Sequence, residues 1–175
     1  MSQFEFIAAD IDLDRQILIE LNVEYVSWFL AGMESSYAVP AVSILGMTAS
    51  QYVPTVIDKI CAAKPPAGVF YLIKTDGKLV GMGGFRSLNS STAEIKRIYI
   101  RPEFRGHNLG ERILQRLVMD AKSYGFTQAC LDTAPFMTSA HRIYERNGFV
   151  GCPAYEGSEV PHGFAHRWRF FQRTL

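Results

Sequence analysis

The spacing of apolar positions divides the chain into a helical first third and a strand-rich remainder that carries two further helices. Ile17, Leu18, Leu21, Tyr25, Trp28 and Phe29 recur three and four residues apart. That periodicity predicts an amphipathic helix from a cap at Asp10 or Asp12 to about Met33. Gly32 and the polar Glu34-Ser35-Ser36 predict a loop after it. Residues 53–63 predict a second helix, with Pro54 confined to its first turn, and Lys64-Pro65-Pro66 stops it. The β-prone runs Gly68–Lys74 and Lys78–Arg86 flank Thr75-Asp76-Gly77-Lys78, a hairpin turn by composition. A third strand runs from Ala93 to Ile100 and ends before Pro102, which supplies no ladder donor. Leu109, Ile113, Leu117 and Ala121 form one stripe of a helix from Asn108 to about Ser123, with Gly125 as its stop. Thr127–Thr133 alternates little, as a strand covered on both faces does. A helix from Pro135 or Thr138 to Asn147, capped at Gly148, precedes closing strands over Phe149–Cys152 and Phe164–Phe171. A strand-helix-strand unit crosses over right-handed and leaves its two strands parallel. The fold class is therefore α/β: a mixed, mostly antiparallel central sheet with one parallel pair, flanked by helices.

The connection between the third strand and its helix is Arg105-Gly106-His107-Asn108-Leu109-Gly110. A strand that turns directly into a helix aims several backbone N–H groups into one small volume. The helix N-terminus adds partial positive charge there, so the turn suits a phosphate or pyrophosphate. A Cβ at position 106 or 110 would hinder approach of such a ligand to the backbone. The turn lacks the Gly-Lys-Ser/Thr ending of a nucleotide P-loop and contains no Gly-x-Gly-x-x-Gly.

Composition narrows the function classes. Eighteen basic against seventeen acidic residues, a net charge of +1, argue against nucleic acid or a membrane surface as partner. No run approaches the roughly 18 apolar residues of a membrane span, and Met1-Ser2-Gln3-Phe4-Glu5 lacks the features of a secretion signal. Cys61, Cys130 and Cys152 are odd in number and widely spaced, which fits a reducing, cytoplasmic setting without a metal site. The length suits one domain over residues 1–175.

Taken in order, these pieces are similar to the GNAT N-acetyltransferase superfamily. The resemblance covers residues 68–150: Val80-Gly81-Met82-Gly83-Gly84 in the hairpin, Glu94–Ile100, Arg101-Pro102, the 105–110 turn, and Ala140 to Phe149 ending in Tyr144-x-x-x-Gly148-Phe149. The superfamily's Arg/Gln-x-x-Gly-x-Gly/Ala pattern matches Arg105, Asn108 and Gly110, with Asn in place of the middle Gly. Asn accepts left-handed backbone and can cap a helix, so the substitution is compatible with binding. Met137 stands where many relatives have an Asn that touches the pantetheine arm.

The resemblance implies acetyl-CoA as co-substrate and no metal. Arg105, Gly106, His107, Asn108, Leu109 and Gly110 would hold the pyrophosphate, and the backbone of Ile98, Tyr99 and Ile100 would hold the pantetheine arm. It also implies transfer of acetyl to a primary amine of a small molecule or protein, by direct attack in a ternary complex. The alternative is a non-catalytic acyl-CoA-binding regulatory module. A homodimer through the C-terminal strands is a further implication, with Phe164, Trp168, Phe170 and Phe171 offering apolar surface.

The chemistry needs a neutral amine and a proton for the departing thiolate. Tyr144 is the candidate general acid, since a phenol with a reference pKa of about 10 carries its proton at neutral pH; a packed helix aromatic is the other reading. Glu94 is the candidate base, directly or through water, or else a carboxylate paired with Lys96. Tyr25, Trp28 and Arg86 are the candidate acceptor-binding residues, with Tyr37, Tyr155 and the 157–163 loop as further candidates. His107, His141, His162 and His166 are weaker candidates for the base or the substrate mouth.

Overall fold

Strand β2 (Gly68–Thr75) is buried along nearly its whole length, because both faces of the sheet are covered. Its side chains alternate between two cores: Val69, Tyr71 and Ile73 face one, Phe70 and Leu72 the other. The computed structural model describes residues 4–160 and 162–175, with the side chain of His162 outside that set. Seven strands form one sheet in the order β1-β2-β3-β4-β5-β7-β6. They are β1 (Phe4–Ala8), β2, β3 (Lys78–Ser87), β4 (Thr92–Ile100), β5 (Gln128–Thr133), β6 (Val150–Cys152) and β7 (Arg169–Thr174). Only β4 and β5 run parallel. Helices α1 (Ile11–Tyr37), α2 (Ala41–Leu45) and α3 (Ala49–Cys61) enclose one core with Phe70, Leu72, Met82 and Tyr99. Helix α4 (Leu109–Ser123) closes the opposite core with Leu109, Ile113, Leu114 and Leu117, and α5 (Thr138–Arg146) follows β5. Among the described residues no helix is long and apolar enough to cross a membrane.

The mixed sheet, the 76–77 turn with φ of 48° and 73°, and the α4 stripe match the reading of the sequence. Several boundaries differ, each for a physical reason. Helix α1 runs past Gly32 to Tyr37 and ends at the left-handed Ala38. A Cβ at position 32 would overlap the Phe136 ring, so this glycine serves close packing and not chain reversal. Helix α3 starts at Ala49, four residues before the expected position. Thr48 and Gln51 form a capping box: Thr48 Oγ1 accepts from the Gln51 amide at 3.3 Å and Gln51 Oε1 accepts from the Thr48 amide at 3.1 Å. Pro54 therefore lies in the second turn; Ser50, whose carbonyl loses a donor, is exposed to water. Strand β7 begins only at Arg169, because 162–167 form a 3₁₀ turn that delivers Phe164 and Trp168 onto Phe29. Strand β1 and helix α2 have no counterpart in the sequence reading.

The aromatics expected at a dimer surface pack largely within the protomer. Phe170 and Phe171 are buried, and Phe164 and Trp168 pack into the α1 core, so these aromatics stabilise the protomer itself.

Two features of β4 create the site. It pairs with β5 only from Thr92↔Gln128 to Glu94↔Cys130, and beyond Glu94 the strands part. Against β3 the register shifts between Met82 and Gly84, which leaves Arg97 at φ 59° in a bulge. The bulge turns Tyr99 to the α1 core and Ile98 and Ile100 toward the α4 core.

Candidate active site

Where β4 and β5 part, two cavities open into one another. The larger, about 530 Å³, is lined by Ile98, Tyr99, Ile100, Arg105, Gly106, Asn108, Leu109 and Gly110, together with α5 residues Ser139, Ala140, Ile143 and Tyr144. The smaller, about 160 Å³, is lined by Tyr25, Trp28 and Tyr52 from the helical layer, Lys96 and Arg97 from β4, Asp132 from β5, and Glu159. Trp28, Ile98, Met137, Ala140 and Tyr144 belong to both walls. Tyr144 thus stands at the junction.

The larger cavity is made of backbone. Asn108 is left-handed at φ 54° and ψ 17° and sits at the N-cap of α4, but its side chain makes no capping hydrogen bond. Gly106 has φ 86°, which the backbone itself demands of a glycine. Gly110 differs: a Cβ there would meet Ile100 and Ile143 at 3.5 and 3.8 Å, ordinary contacts, so protein packing does not require glycine and the space it keeps open belongs to the cleft. Among the described residues the amides of 106–111 have no backbone acceptor, the first helical bond being Arg112 N–H to Asn108 C=O. Six amides at the start of a fifteen-residue helix fit an anion such as a pyrophosphate. His107 is exposed and its side chain lies outside the cavity wall, with Nδ1 3.4 Å from Phe104 O.

The edge of β4 is equally open. The Arg101 amide donates to Val80 O on β3, so the polar groups of Ile100 face the opposite, β5 side. Arg105 Nε donates to Ile100 O at 3.0 Å, and its guanidinium lies 5.0 Å from the centre of the Trp28 ring. An extended arm entering along this edge would find backbone partners in strand-like spacing.

The smaller cavity is made of charged side chains held by aromatics. A regular strand sends neighbouring side chains to opposite faces, but the bulge at Arg97 lets Lys96 and Arg97 border the same space. Lys96 Nζ bridges Glu159 at 2.9 Å and Glu94 at 3.4 Å. Glu159 also approaches Lys59 at 3.6 Å and Arg97 at 4.0 Å. Burial works against ionisation of Glu159, but Lys96, Arg97 and Lys59 more than offset it and hold its carboxyl below the usual range. Asp132 has no Lys or Arg within ion-pair distance among the described residues; its carboxylate meets Ser158 Oγ at 3.3 Å and Tyr155 Oη at 3.5 Å. Burial, reinforced by Glu94 and Glu159, raises its pKa above the ordinary carboxylate value. The Tyr144 hydroxyl is driven up in the same way, by burial first and then by Tyr25 and Asp132, so it holds its proton firmly at neutral pH. Its ring leans on Phe149 and Phe171. Tyr144 is thus a packed helix aromatic that also borders both cavities.

Tyr25 and Trp28 line the acceptor-sized cavity. Arg86 and Glu94 do not: Glu94 is 0% exposed and ion-paired to Arg86 at 2.6 Å, while Arg86 also donates to Gly157 O at 3.1 Å. Glu94 meets the cavity wall through Lys96 at 3.4 Å, and the Tyr155 hydroxyl lies between it, at 3.2 Å, and Asp132, at 3.5 Å. Tyr37 lies exposed at the end of α1, outside both cavity walls. His141 is buried against Ala134 O, with burial and Arg169 depressing its pKa, and His166 is exposed. Burial pushes the Cys130 thiol up to about 12, as befits a core residue. Asp132 and Glu159 were missed in sequence. The signal available was an acid at the end of an otherwise apolar strand, Ala129-Cys130-Leu131-Asp132.

The Acetyltransferase (GNAT) family profile matches residues 38–149, more than half of the chain. "Uncharacterized N-acetyltransferase YjgM" of Escherichia coli (strain K12) is 28% identical over 104 residues, which cover 54% of this chain and 62% of that protein. The chain thus spans about three fifths of the length of this curated relative. Among solved structures, the PaiA N-acetyltransferase from Thermoplasma acidophilum in complex with coenzyme A aligns with a TM-score of 0.69 at 17% identity, over 99% of both chains. An acetyltransferase of the GNAT family from Staphylococcus aureus Mu50 aligns with a TM-score of 0.68 at 18% identity, also over 99% of both chains. At such identities these structures establish the shared fold.

Proposed function

The chain belongs to the acetyltransferase (GNAT) family, and from that premise we propose that it transfers acetyl from acetyl-CoA to a primary amine by direct attack in a ternary complex. The observation that carries the reading is the position of Tyr144 on the shared wall of two cavities, one backbone-lined and one charged. The free amides of 106–111 take the pyrophosphate, and the open β4 edge at Ile98–Ile100 takes the pantetheine arm, one amide there polarising the thioester carbonyl. That the Thermoplasma acidophilum protein was solved with coenzyme A supports the assignment of the cleft.

The acceptor enters the smaller cavity as an ammonium ion. Asp132, whose carboxylate has no direct ion pair among the described residues and whose pKa burial raises, takes one proton in its ionised form and frees the nitrogen lone pair. Nitrogen attacks the carbonyl carbon, the carbon–sulfur bond breaks, and Tyr144 gives its proton to the leaving thiolate. The second nitrogen proton, acidified in the tetrahedral adduct, returns to Tyr144. In this reading Glu94 is a positioning residue: with Arg86 and Lys96 it fixes Tyr155, which in turn orients Asp132. A tyrosine hydroxyl held at the junction disfavours the non-catalytic alternative, which needs only the larger cavity. The test is free-CoA release across a panel of amines, with Tyr144→Phe as control. Tight acetyl-CoA binding with no amine acetylated would leave the binding module as the answer.

A further inference from the structure

The wall of the smaller cavity carries two cations, Lys96 and Arg97, and two carboxylates, Asp132 and Glu159. Arg86, Lys59, Lys96 and Arg97 are gathered on Glu94 and Glu159, and Asp132 is the third carboxylate. Three of these four cations have a carboxylate within 3.6 Å. Arg97 does not. Its side chain is 9% exposed, the carboxylate it approaches is 4.0 Å away, beyond hydrogen-bond reach, and its guanidinium is stacked 5.0 Å from the centre of the Tyr25 ring. A buried fork of five donors beside the Tyr25 ring and near Tyr52, at the wall of a cavity and with no carboxylate within hydrogen-bond reach among the described residues, has donors to offer a carboxylate.

Asp132 on β5 and Arg97 on the β4 bulge border the same space, and Tyr144 lines it as well. Its volume, about 160 Å³, is well under the roughly 300–1,000 Å³ of sites for drug-sized ligands.

Building on the acetyl-transfer reading, we propose that the acceptor is a small amino acid, its amine directed to Asp132 and Tyr144 and its carboxylate held by Arg97. A polyamine would instead place a second ammonium against Lys96 and Arg97.

The experiment uses matched pairs with the full chain: each α-, β- or γ-amino acid against its own carboxamide, read by free-CoA release. The acid of the accepted pair should exceed its amide in kcat/KM by about 10–100-fold, the worth of a charge-assisted pair of hydrogen bonds. Arg97→Asn suits the left-handed backbone at φ 59° and removes the fork. In that variant the acid-to-amide ratio should collapse toward one, through KM and not kcat, while calorimetric acetyl-CoA affinity stays as in the wild type. Arg97→Lys should restore part of the ratio. Equal use of acid and amide by the wild type, or a ratio that survives Arg97→Asn in a variant that still binds acetyl-CoA, overturns the proposal and leaves acetyl transfer standing. Turnover of polyamines or protein amines alone overturns it likewise. Acetyl-CoA binding without acetylation of any amine would remove the enzymatic reading itself, and this proposal with it.

Discussion

The two halves of the cleft are built by different rules. The larger cavity comes from one stretch of chain, residues 98–110 with α5 opposite, and its recognition groups are mostly backbone amides and carbonyls. The smaller one draws on α1, α3, β4, β5 and the 155–160 loop, and its character resides in side chains that meet only once the sheet is formed. A backbone site tolerates much change of sequence as long as glycines and a helix start stay in place. A side-chain site changes its ligand with one residue. That contrast explains how the fold can be shared at 17–18% identity with other acetyltransferases.

The sharpest break falls on the residue both halves share. Tyr144→Phe keeps the ring on Phe149 and Phe171 and removes the donor, so kcat should fall about 10²–10⁴-fold with acetyl-CoA affinity nearly unchanged. Unaltered turnover with chemistry rate-limiting would reduce Tyr144 to packing.

The next test sets two acids of the smaller half against each other. Glu94→Gln removes the carboxylate that holds buried Arg86 and Lys96, which costs about 3–5 kcal/mol, enough to threaten folding. Asp132→Asn should do the opposite to stability. A carboxyl whose pKa is raised by folding binds its proton more tightly in the native state, so ionising it lowers stability as pH rises from the normal carboxylate range through the raised value. At neutral pH the neutral amide avoids that penalty. Asp132→Asn should therefore melt no lower than the wild type while losing about 10²-fold or more in kcat/KM. Raising the pH should partly rescue it, because solvent then supplies the free amine. In the wild type, activity should fall as pH drops through the raised Asp132 pKa. If Glu94→Gln folds normally and alone shows the pH-dependent loss, the roles of the two acids are exchanged.

In the larger half, Gly110→Asp places a negative carboxylate at the helix start without a clash inside the protein. Acetyl-CoA affinity should drop by roughly 10–100-fold in calorimetry with little change in melting temperature, a charge effect at the dipole end. The smallest effect is expected far from both halves. Thr48→Ala dissolves the α3 capping box and should lower stability by about 1 kcal/mol without changing kcat.

The same contrast governs what could be read in the sequence. The hairpin, the α4 stripe and the 105–110 turn are local: Asp76-Gly77, Leu109-Ile113-Leu117 and Gly106-Gly110 each state their geometry within a few residues. Helix boundaries failed where a residue serves a distant partner, as Gly32 serves Phe136. Thr48-x-x-Gln51 was a legible start signal that Pro54 overshadowed. Glu94 looked like the base because it is the acid in the right strand, yet it is buried and held by Arg86, Lys96 and Tyr155, and no local pattern announces the bulge at Arg97. Asp132 and Glu159 lie 27 residues apart in sequence by their numbering and converge only through the loop after β6.

The short seam between β4 and β5 has a mechanical consequence. Three residue pairs, Thr92↔Gln128 to Glu94↔Cys130, are all that zips these neighbouring strands, against six pairs between β5 and β7. With each inter-strand hydrogen bond worth about 0.5–1.5 kcal/mol net, this is the interior seam along which the sheet yields most readily. The wedge proposed for the acyl arm is also the notch from which a crack would spread. Amide exchange at Gln128–Cys130 should therefore be fast for an interior strand without acetyl-CoA and the most slowed by it, if the cofactor stitches the gap it is proposed to enter.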